Sequence, residues 1–385
     1  MIALLALLAF PTASALTLPE AVSRAAEVDP DSIIAALSAR SSASQGVEAW
    51  ADLGVTPSVS LSQTFGAVAS SRLSVNVGLL NPPAWFDALA VGSATTGARA
   101  SAEATARDAK YAVAVMWYQA FAADEAEELA QTSLSEARGT ADAAEARLRA
   151  GLASELDAKA ARLGVLDAQA ALASAQSTRF IALAALSSAL QMDVVKVDAV
   201  EAPVMPTETG VSPWIRVYEA SVQEARWYEA SSIAALFPTA GLSAQTTLFP
   251  AAPTNTWAVS LNATWSFSGI VSPFLDVQQA HLDRRIAEVQ LDQARREDSL
   301  ALAIARAQVD AARARTSAAQ DGEKLAAETV AVGRARLGAG LISTLDVLKL
   351  QEQQAQARVK RVSAELDLAL AVLDSRRLVG LPVLE

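Results

Sequence analysis

Proline positions place the strongest limit on how this chain can fold. The 385-residue sequence contains fourteen prolines, and none of them lies within residues 84–202 or 274–381. A proline inside a helix costs about 3 kcal/mol, so these two stretches are where long helices can form. Both are rich in Ala, Leu, Glu, Gln and Arg, which favour helix. The pattern predicts helices over 84–149 and 274–338, each roughly 100 Å long at a rise of about 1.5 Å per residue.

Each proline-free stretch is interrupted once, and the two interruptions are similar. The segments ARLRAGLASELD and ARLGAGLISTLD carry the turn glycines Gly151 and Gly340, which are 189 residues apart (340 − 151). Glycine commonly ends a helix in the left-handed conformation. The motif therefore predicts a helix–turn–helix tip in each half of the chain, at residues 150–154 and 339–343.

The residues after each glycine predict how the next helix begins. Ser154 and Ser343 are in position to cap that helix, and Asp157 and Asp346 follow at its third position. This Ser-x-x-Asp spacing is a capping pattern, in which the two residues satisfy each other's free backbone groups.

Two windows with almost no charge predict strands. Residues 230–275 contain no Asp, Glu, Lys or Arg, and between residues 53 and 84 the only charged residue is Arg72. Apolar and small polar residues alternate within these windows, as over 257–267. A period of two with one apolar face indicates half-buried strands, and turn-rich links divide each window into a hairpin.

The polar face of these strands distinguishes a membrane barrel from a soluble sheet. Soluble sheets usually carry charged residues on the wet face and at exposed edges, whereas here that face holds Ser, Thr, Asn and Gln. Strands of about ten residues, apolar on one face and small-polar on the other, are typical of outer-membrane barrels. Trp257 and Trp265 share a face about 26 Å apart along a strand, close to the separation of the two aromatic girdles of such barrels.

Other features exclude several classes of function. The net charge of −11 argues against a nucleic-acid partner, and the absence of cysteine excludes thiolate and disulfide chemistry. His281 is the only histidine, so no histidine pair can bind a metal, and an inert interfacial role is expected for it. No nucleophile-elbow or phosphate-binding motif is present. We therefore expect no enzyme activity and no cofactor.

The first fifteen residues, MIALLALLAFPTASA, are interpreted as a secretory signal peptide. An apolar run precedes a small-x-small site at residues 13–15, although no basic residue precedes the run, and a buried helical turn is the alternative. No other segment reaches the roughly 18 uncharged apolar residues of a membrane-spanning helix.

The order of predicted elements occurs twice. After the signal peptide (1–15), the first half (16–200) is predicted to contain short helices, a strand hairpin at 55–80, a long helix at 84–149, a tip at 150–154 and a helix at 155–190. The second half (201–385) is predicted to contain a helix at 213–236, a strand hairpin at 239–268, a long helix at 274–338, a tip at 339–343 and a helix at 344–380.

This sequence resembles the TolC-like outer membrane efflux protein family over nearly all of residues 16–385. The segments that carry the resemblance are LTLPEAVSRAAEVDP (16–30), GLLNPPAW (78–85) and the two tip motifs. The resemblance implies an α+β membrane protein that forms a homotrimeric export duct. Each chain would contribute four strands to a twelve-stranded outer-membrane β-barrel, and long helical hairpins would form a tunnel across the periplasm.

The strand count supports oligomerisation independently. Four strands cannot close a barrel, since small barrels need about eight, and an open edge in lipid leaves backbone groups unsatisfied. Counting alone allows eight or twelve strands, and the family resemblance selects twelve.

The resemblance also implies partners and site residues. The chain would be the passive outer-membrane component of a tripartite efflux or type I secretion system, with a periplasmic membrane-fusion adaptor and an inner-membrane pump of the RND, ABC or MFS class. The tips would dock the adaptor through Gly151, Leu152, Ser154, Gly340, Leu341, Ile342 and Ser343.

The aspartates Asp157 and Asp346 match family positions that line the closed periplasmic aperture, with capping alone as the alternative role. Some members carry a further Asp and an Arg nearby, where this chain has Lys349 and Ile342, so a salt-bridge lock is not expected. The alternative for the whole chain is a periplasmic coiled-coil adaptor or scaffold without a barrel. A secreted helical enzyme would need a catalytic cluster that the sequence does not contain.

Overall fold

The computed structural model describes residues 15–51, 53, 55–62, 70–198, 203, 212–249, 257–265 and 271–383. The predicted signal peptide lies outside these ranges except for its last residue. Within them, the elements follow in this order: α1 (Leu18–Val28), α2 (Pro30–Ala51), β1 (Val55–Ser62), β2 (Ser70–Leu80), α3 (Pro82–Arg149), α4 (Glu155–Leu190), α5 (Pro213–Ala234), β3 (Thr239–Phe249), β4 (Ala258–Thr264), α6 (Val271–Gly338) and α7 (Thr344–Val379).

The helices of the two halves have the same lengths and are separated by a constant number of residues. The helices α3 and α6 have 68 residues each, and α4 and α7 have 36 each. Each helix of the second half begins and ends 189 residues after its counterpart (271 − 82, 338 − 149, 344 − 155 and 379 − 190). The order of helix, tip and helix therefore recurs at a constant interval within the described residues.

Some helix ends differ by one to three residues from the predicted bounds. The helices α3 and α6 start earlier than predicted, at Pro82 and Val271. Proline is well tolerated in a first helical turn, because the N–H it lacks has no partner there, so the prolines near 82 and 273 do not delay the start. The helix α5 stops at Ala234, ahead of Pro238, and α7 stops at Val379, where Gly380 adopts a φ of 74°.

The four strands form one antiparallel sheet in the order β1-β2-β3-β4. Pairing of β2 with β3 joins the two halves of the chain, and β1 and β4 are the edges. The register places Val77 beside Leu242 and Leu242 beside Leu261. Apolar residues of neighbouring strands therefore share one face, as the period-two pattern predicts.

Hydroxyl and amide groups connect the strands on the opposite face. Ser58 Oγ lies 2.7 Å from Ser74 Oγ, and Ser243 Oγ lies 2.7 Å from Ser260 Oγ. The side chain of Asn262 donates to Ser243 Oγ at 3.1 Å. These side chains satisfy one another across the strands, so the polar face needs no charged residues to be hydrogen-bonded.

The strand β4 is shorter than the alternating segment 257–267 predicts. It covers Ala258–Thr264, so Trp257 and Trp265 lie immediately before and after it instead of within it. Residues 266–270 lie outside the described part of the chain.

The chain divides into two compact units, each assembled from separate segments: the first from Met1–Ser32, Ala106–Val211 and Leu300–Glu385, and the second from Ile33–Thr105 and Ser212–Ser299. Each unit has its own apolar core, because the long helices contribute one part to each.

The core of the first unit surrounds Trp117 of α3, which is fully buried. Its ring stacks on Phe121 with centroids 5.8 Å apart and meets Tyr118 edge-on at 5.2 Å. The indole N–H donates to the carbonyl of Leu16 at 3.3 Å. Leu16 also forms a short parallel bridge with Val197, which the sequence does not predict.

Side chains hold the end of the described chain against the same unit. Three consecutive carbonyl oxygens, of residues 380–382, accept hydrogen bonds of 2.7, 2.7 and 3.0 Å from Arg107, Tyr111 and Arg376. Burial raises the pKa of Tyr111 to about 12, so its hydroxyl group remains a donor at neutral pH.

The second unit has a smaller helical core. Ile215 and Val222 of α5 pack with Ala287 and Leu291 of α6. These contacts join α5, which precedes the β3–β4 hairpin in the sequence, to α6, which follows it.

Candidate functional site at the helical tips

The two tip turns have the same backbone geometry. Gly151 and Gly340 have φ angles of 74° and 73°, and both lie in the left-handed region that favours glycine. The N–H of Leu152 donates to the carbonyl of Arg147 at 2.8 Å, and Leu341 repeats this contact in the second tip at 2.9 Å. This is the Schellman arrangement, which satisfies the last carbonyls of a helix. The positive φ predicted for both glycines is confirmed.

The serine after each turn caps the following helix. Ser154 Oγ accepts from the N–H of Asp157 at 3.2 Å, and Asp157 Oδ2 accepts from the N–H of Ser154 at 3.1 Å. Ser343 and Asp346 make the same pair of bonds at the same lengths. The predicted capping boxes are therefore present in both tips.

The capping serines also donate hydrogen bonds to the carboxylates of the tip aspartates. In each tip one carboxylate oxygen, Oδ2, accepts bonds from both the backbone and the hydroxyl group of the serine. Hydrogen bonds from Ser343 hold the pKa of Asp346 below its usual value, so this residue remains negatively charged at neutral pH. Capping is thus a role that the geometry of Asp157 and Asp346 supports directly.

The leucine after each glycine is strongly exposed, with fractional exposures of 72% for Leu152 and 73% for Leu341. A second leucine lies four residues further on in each tip, Leu156 and Leu345, and both are also exposed. Each tip therefore presents two exposed leucines. The sequence analysis missed Leu156 and Leu345, which the repeated Leu-x-x-x-Leu spacing would have indicated.

Ile342 is less accessible than the leucine beside it in the second tip. Ile342 is half-buried, and its Cδ1 atom lies 3.9 Å from the position that a Cβ atom on Gly333 would take. The side chain therefore points back toward α6, where Gly333 leaves room for it and for Leu350. The corresponding residue of the first tip, Ala153, is half-buried as well.

The residues proposed for the membrane surface are exposed in the single chain. Trp257 and Trp265 lie at opposite ends of β4, and Val259 and Leu261 between them are also exposed. Within the described residues, no helix combines the length and the apolar composition needed to cross a membrane.

Several of the described helices expose apolar residues, among them α2 with Ile33, Ile34 and Leu37, and the longest series lie on α4 and α6. On α6, exposed residues recur at spacings of three, four, seven or twenty-one: Leu282, Ile286 and Val289 in the second unit, and Leu300, Ile304, Leu325 and Val332 in the first. On α4, the exposed residues are Leu156, Leu163, Leu166, Phe180 and Ile181. Such spacing places the members of each group on one side of a helix.

A cluster of ion pairs connects three helices of the first unit. Arg361 of α7 contacts Glu125 of α3 and Glu323 of α6, both at 2.6 Å, and also pairs with Glu365. Arg358, one turn earlier on α7, reaches Glu136 and Glu323. These pairs link α7 to both α3 and α6.

The single histidine lies beside an ion pair of the second unit. His281 Nδ1 lies 2.8 Å from Glu229 Oε1, and Arg284 Nε lies 2.6 Å from the other oxygen of that carboxylate. Among the residues that the structure describes, no group of three or more His, Cys, Asp or Glu side chains could hold a metal ion.

A family model described as outer membrane efflux protein matches residues 210–381, which is the second half of the repeat. A comparison with curated protein sequences finds no match.

Several solved outer-membrane channels have a similar fold. The CmeC outer membrane channel of Campylobacter jejuni has a TM-score of 0.78 at 15% identity, with 94% of this chain and 85% of that chain covered. The open state of the MtrE outer membrane channel of Neisseria gonorrhoeae gives 0.79 at 19% identity, covering 95% and 89%. The outer membrane protein VceC of Vibrio cholerae gives 0.76 at 16% identity, covering 95% and 96%. At these identities the comparison shows a shared fold.

Proposed function

We propose that the whole chain is the outer-membrane channel of a tripartite efflux or type I secretion system, because residues 210–381 match the family model described as outer membrane efflux protein. The first half is included because its helices repeat the lengths of those in the matched half. The fold similarity to solved channels covers at least 94% of the chain and supports the same extension.

The observation that carries the proposal is the four-stranded sheet with two free edges. Its apolar face exposes Val259 and Leu261, which suits contact with lipid. The edges β1 and β4 are different strands, so β4 of one chain can pair with β1 of the next in a head-to-tail ring. Twelve strands from three chains would then close a barrel without unsatisfied edges.

The exposed helix faces support the same ring. Exposed apolar residues recur along α4 and along α6, which are different helices, just as the sheet edges are different strands. Exposed apolar side chains grouped in this way mark an interaction site. In a closed ring, α4 of one protomer would pack against α6 of its neighbour, and the helices would continue the barrel as a periplasmic tunnel wall.

We propose that the tips bind the partner proteins. The paired leucines of each tip, Leu152 with Leu156 and Leu341 with Leu345, are apolar side chains at an exposed turn. They would dock a periplasmic membrane-fusion adaptor, which links the channel to an inner-membrane pump of the RND, ABC or MFS class. The aspartates Asp157 and Asp346 would face the aperture at the periplasmic end, in addition to capping their helices.

Assembly tests the channel itself. The chain lacking its predicted signal peptide, purified in detergent, should have the native mass of a homotrimer and should produce ion conductance in planar lipid bilayers. A monodisperse monomer that never inserts into bilayers would contradict the proposal.

Docking is tested separately at the tips. Replacing Leu152 and Leu341 together by Asp should leave the trimer and its conductance intact but abolish export and adaptor crosslinking in cells. Val195→Asp is the matched control, because Val195 is exposed to a similar degree and lies outside the tips. Normal export by the double variant would show that the tips are only turns.

A further inference from the structure

The strand region of the sequence contains one charged residue. Residues 53–84 and 230–275 include all four strands, and within them Arg72 is the only Asp, Glu, Lys or Arg. The whole chain has a net charge of −11. The strand region therefore carries a single positive charge in a chain that is otherwise acidic.

The register places residue 72 in a row of polar residues. Ser58 and Ser74 are partners in β1 and β2, and their hydroxyl oxygens lie 2.7 Å apart. Successive residues of a strand alternate between its two faces, so position 72, two residues before Ser74, belongs to the same row. The partners of position 72 are Ser60 in β1 and Thr247 in β3. The one charged position of the strands thus lies on the polar face of the sheet.

Residue 72 lies near the end of the sheet that is away from α3. The strand β2 begins at Ser70 and ends at Leu80, next to α3, so residue 72 is close to its start. The links that join the strands at this end, 63–69 and 250–257, contain no charged residue. No carboxylate of the strand region is therefore available to neutralise the charge of residue 72.

We propose that Arg72 makes the outer part of the barrel lumen electropositive, so that this part favours anionic over cationic solutes. The polar face lines the lumen of the proposed barrel, and the three copies of residue 72 in a symmetric trimer lie at one level. Rings of Arg or Lys side chains select anions in other pores. The favoured solutes are those with carboxylate, sulfate or phosphate groups. This inference rests on the proposed barrel.

The local potential can be measured without the current through the whole channel, to which the tip aspartates would also contribute. The sequence has no cysteine, so Ser74→Cys introduces a single thiol in the row of residue 72. The trimer in phosphatidylcholine vesicles would be treated with two methanethiosulfonate reagents of similar size, one an anionic sulfonate and the other a cationic trimethylammonium. The ratio of their reaction rates reports the sign of the potential at residue 74.

Arg72→Gln should lower the ratio of anionic to cationic reaction rates at Ser74→Cys about threefold in 0.1 M salt. Positions 72 and 74 are about 7 Å apart along the strand, within the Debye length at this ionic strength. In 1 M salt, where the Debye length is about 3 Å, the difference should almost disappear. Arg72→Lys should retain the ratio, because it keeps the charge.

Ser243→Cys is the control for distance. Ser243 pairs with Asn76, four residues from position 72 and about 13 Å along the strand, so its ratio should change much less in 0.1 M salt. An unchanged ratio at Ser74→Cys after Arg72→Gln overturns this inference and leaves the barrel standing. Equal changes at both cysteines would indicate an altered barrel shape instead of a local charge, and would also overturn it.

The lipid-facing side provides the test of the barrel itself. Leu261→Cys in β4 should react with neither reagent in vesicles, whereas Ser74→Cys should react with both. Reaction at Leu261→Cys together with no reaction at Ser74→Cys contradicts the proposed barrel. The failure of the barrel and the failure of the charge assignment are therefore distinguishable in one set of variants.

Discussion

Trp117 of α3 and Arg306 of α6 occupy equivalent places in the repeat, 189 residues apart (306 − 117), yet Trp117 is fully buried and Arg306 is exposed. The same holds four residues further on, where Phe121 stacks in the core of the first unit and its counterpart Asp310 is exposed. The duplicated helices thus have matching lengths and different surroundings.

This difference shows which properties a repeat can copy. Helix length, turn and cap are determined by local sequence, so they recur at the same interval. Burial depends on which neighbours a helix meets. The middle of α3 packs with α1 and α4 in the first unit, whereas α6 keeps an uncovered apolar face that we assign to the next protomer.

The largest expected effect comes from the buried member of this pair. Trp117→Ala should lower the free energy of unfolding by about 3–5 kcal/mol, because it leaves a cavity among aromatic rings. Arg306→Ala should change it by less than about 0.5 kcal/mol. Urea denaturation followed by circular dichroism measures both, and similar losses at the two positions would remove the distinction between the halves.

The two faces of β4 can be compared in the same way as the two helices. Leu261→Arg should cost about 2–4 kcal/mol in membrane stability, because it places a charge on the lipid-facing side near the midplane. Asn262→Arg, one residue further along β4, should fold normally and change ion conductance instead. Unfolding from vesicles and single-channel recording separate the two outcomes, and equal effects would contradict this assignment of faces.

The arginine at the centre of the ion-pair cluster has no charged counterpart in the first half. Arg361 pairs with three carboxylates, whereas its counterpart 189 residues earlier is the half-buried Leu172. Arg361→Met should cost about 1–3 kcal/mol, between the values for exposed and buried ion pairs, since the three glutamates lose their shared cation.

Leu172→Met is the matched change and should cost less than about 1.5 kcal/mol, because it conserves volume. Thermal unfolding at low and at high salt provides the measurement. The loss at Arg361 should shrink in high salt, and a loss that is independent of salt would point to packing.

The smallest effect is expected where the halves are most alike. Gly151→Val and Gly340→Val should each cost about 1–2 kcal/mol, because both glycines have positive φ. An added Cβ meets no atom within 4 Å at either site, so the backbone conformation alone determines the cost. Gly338→Val is the control, because Gly338 lies in the last turn of α6 without a positive φ. Different losses in the two tips would show that their equivalence is only apparent.

Much of this architecture follows from local sequence. Proline spacing predicts the two 68-residue helices to within three residues at each end, since a proline is excluded from a helix interior wherever the chain folds. The glycine conformations and capping boxes follow for the same reason, as they involve contacts within about six residues. The strands follow from alternation, although alternation alone places Trp265 inside β4.

Tertiary structure decided what each face of these elements touches. The sequence places Ile342 beside Leu341 in an apolar tip, but only the packing of α6 against α7 shows that Ile342 turns inward over Gly333. The contacts of Arg361 and the bridge between Leu16 and Val197 likewise join residues far apart in the chain. A periodic pattern specifies that a helix or strand has an apolar side, because side chains repeat at fixed angles. Which partner covers that side depends on distant segments, because burial is a property of the assembled fold.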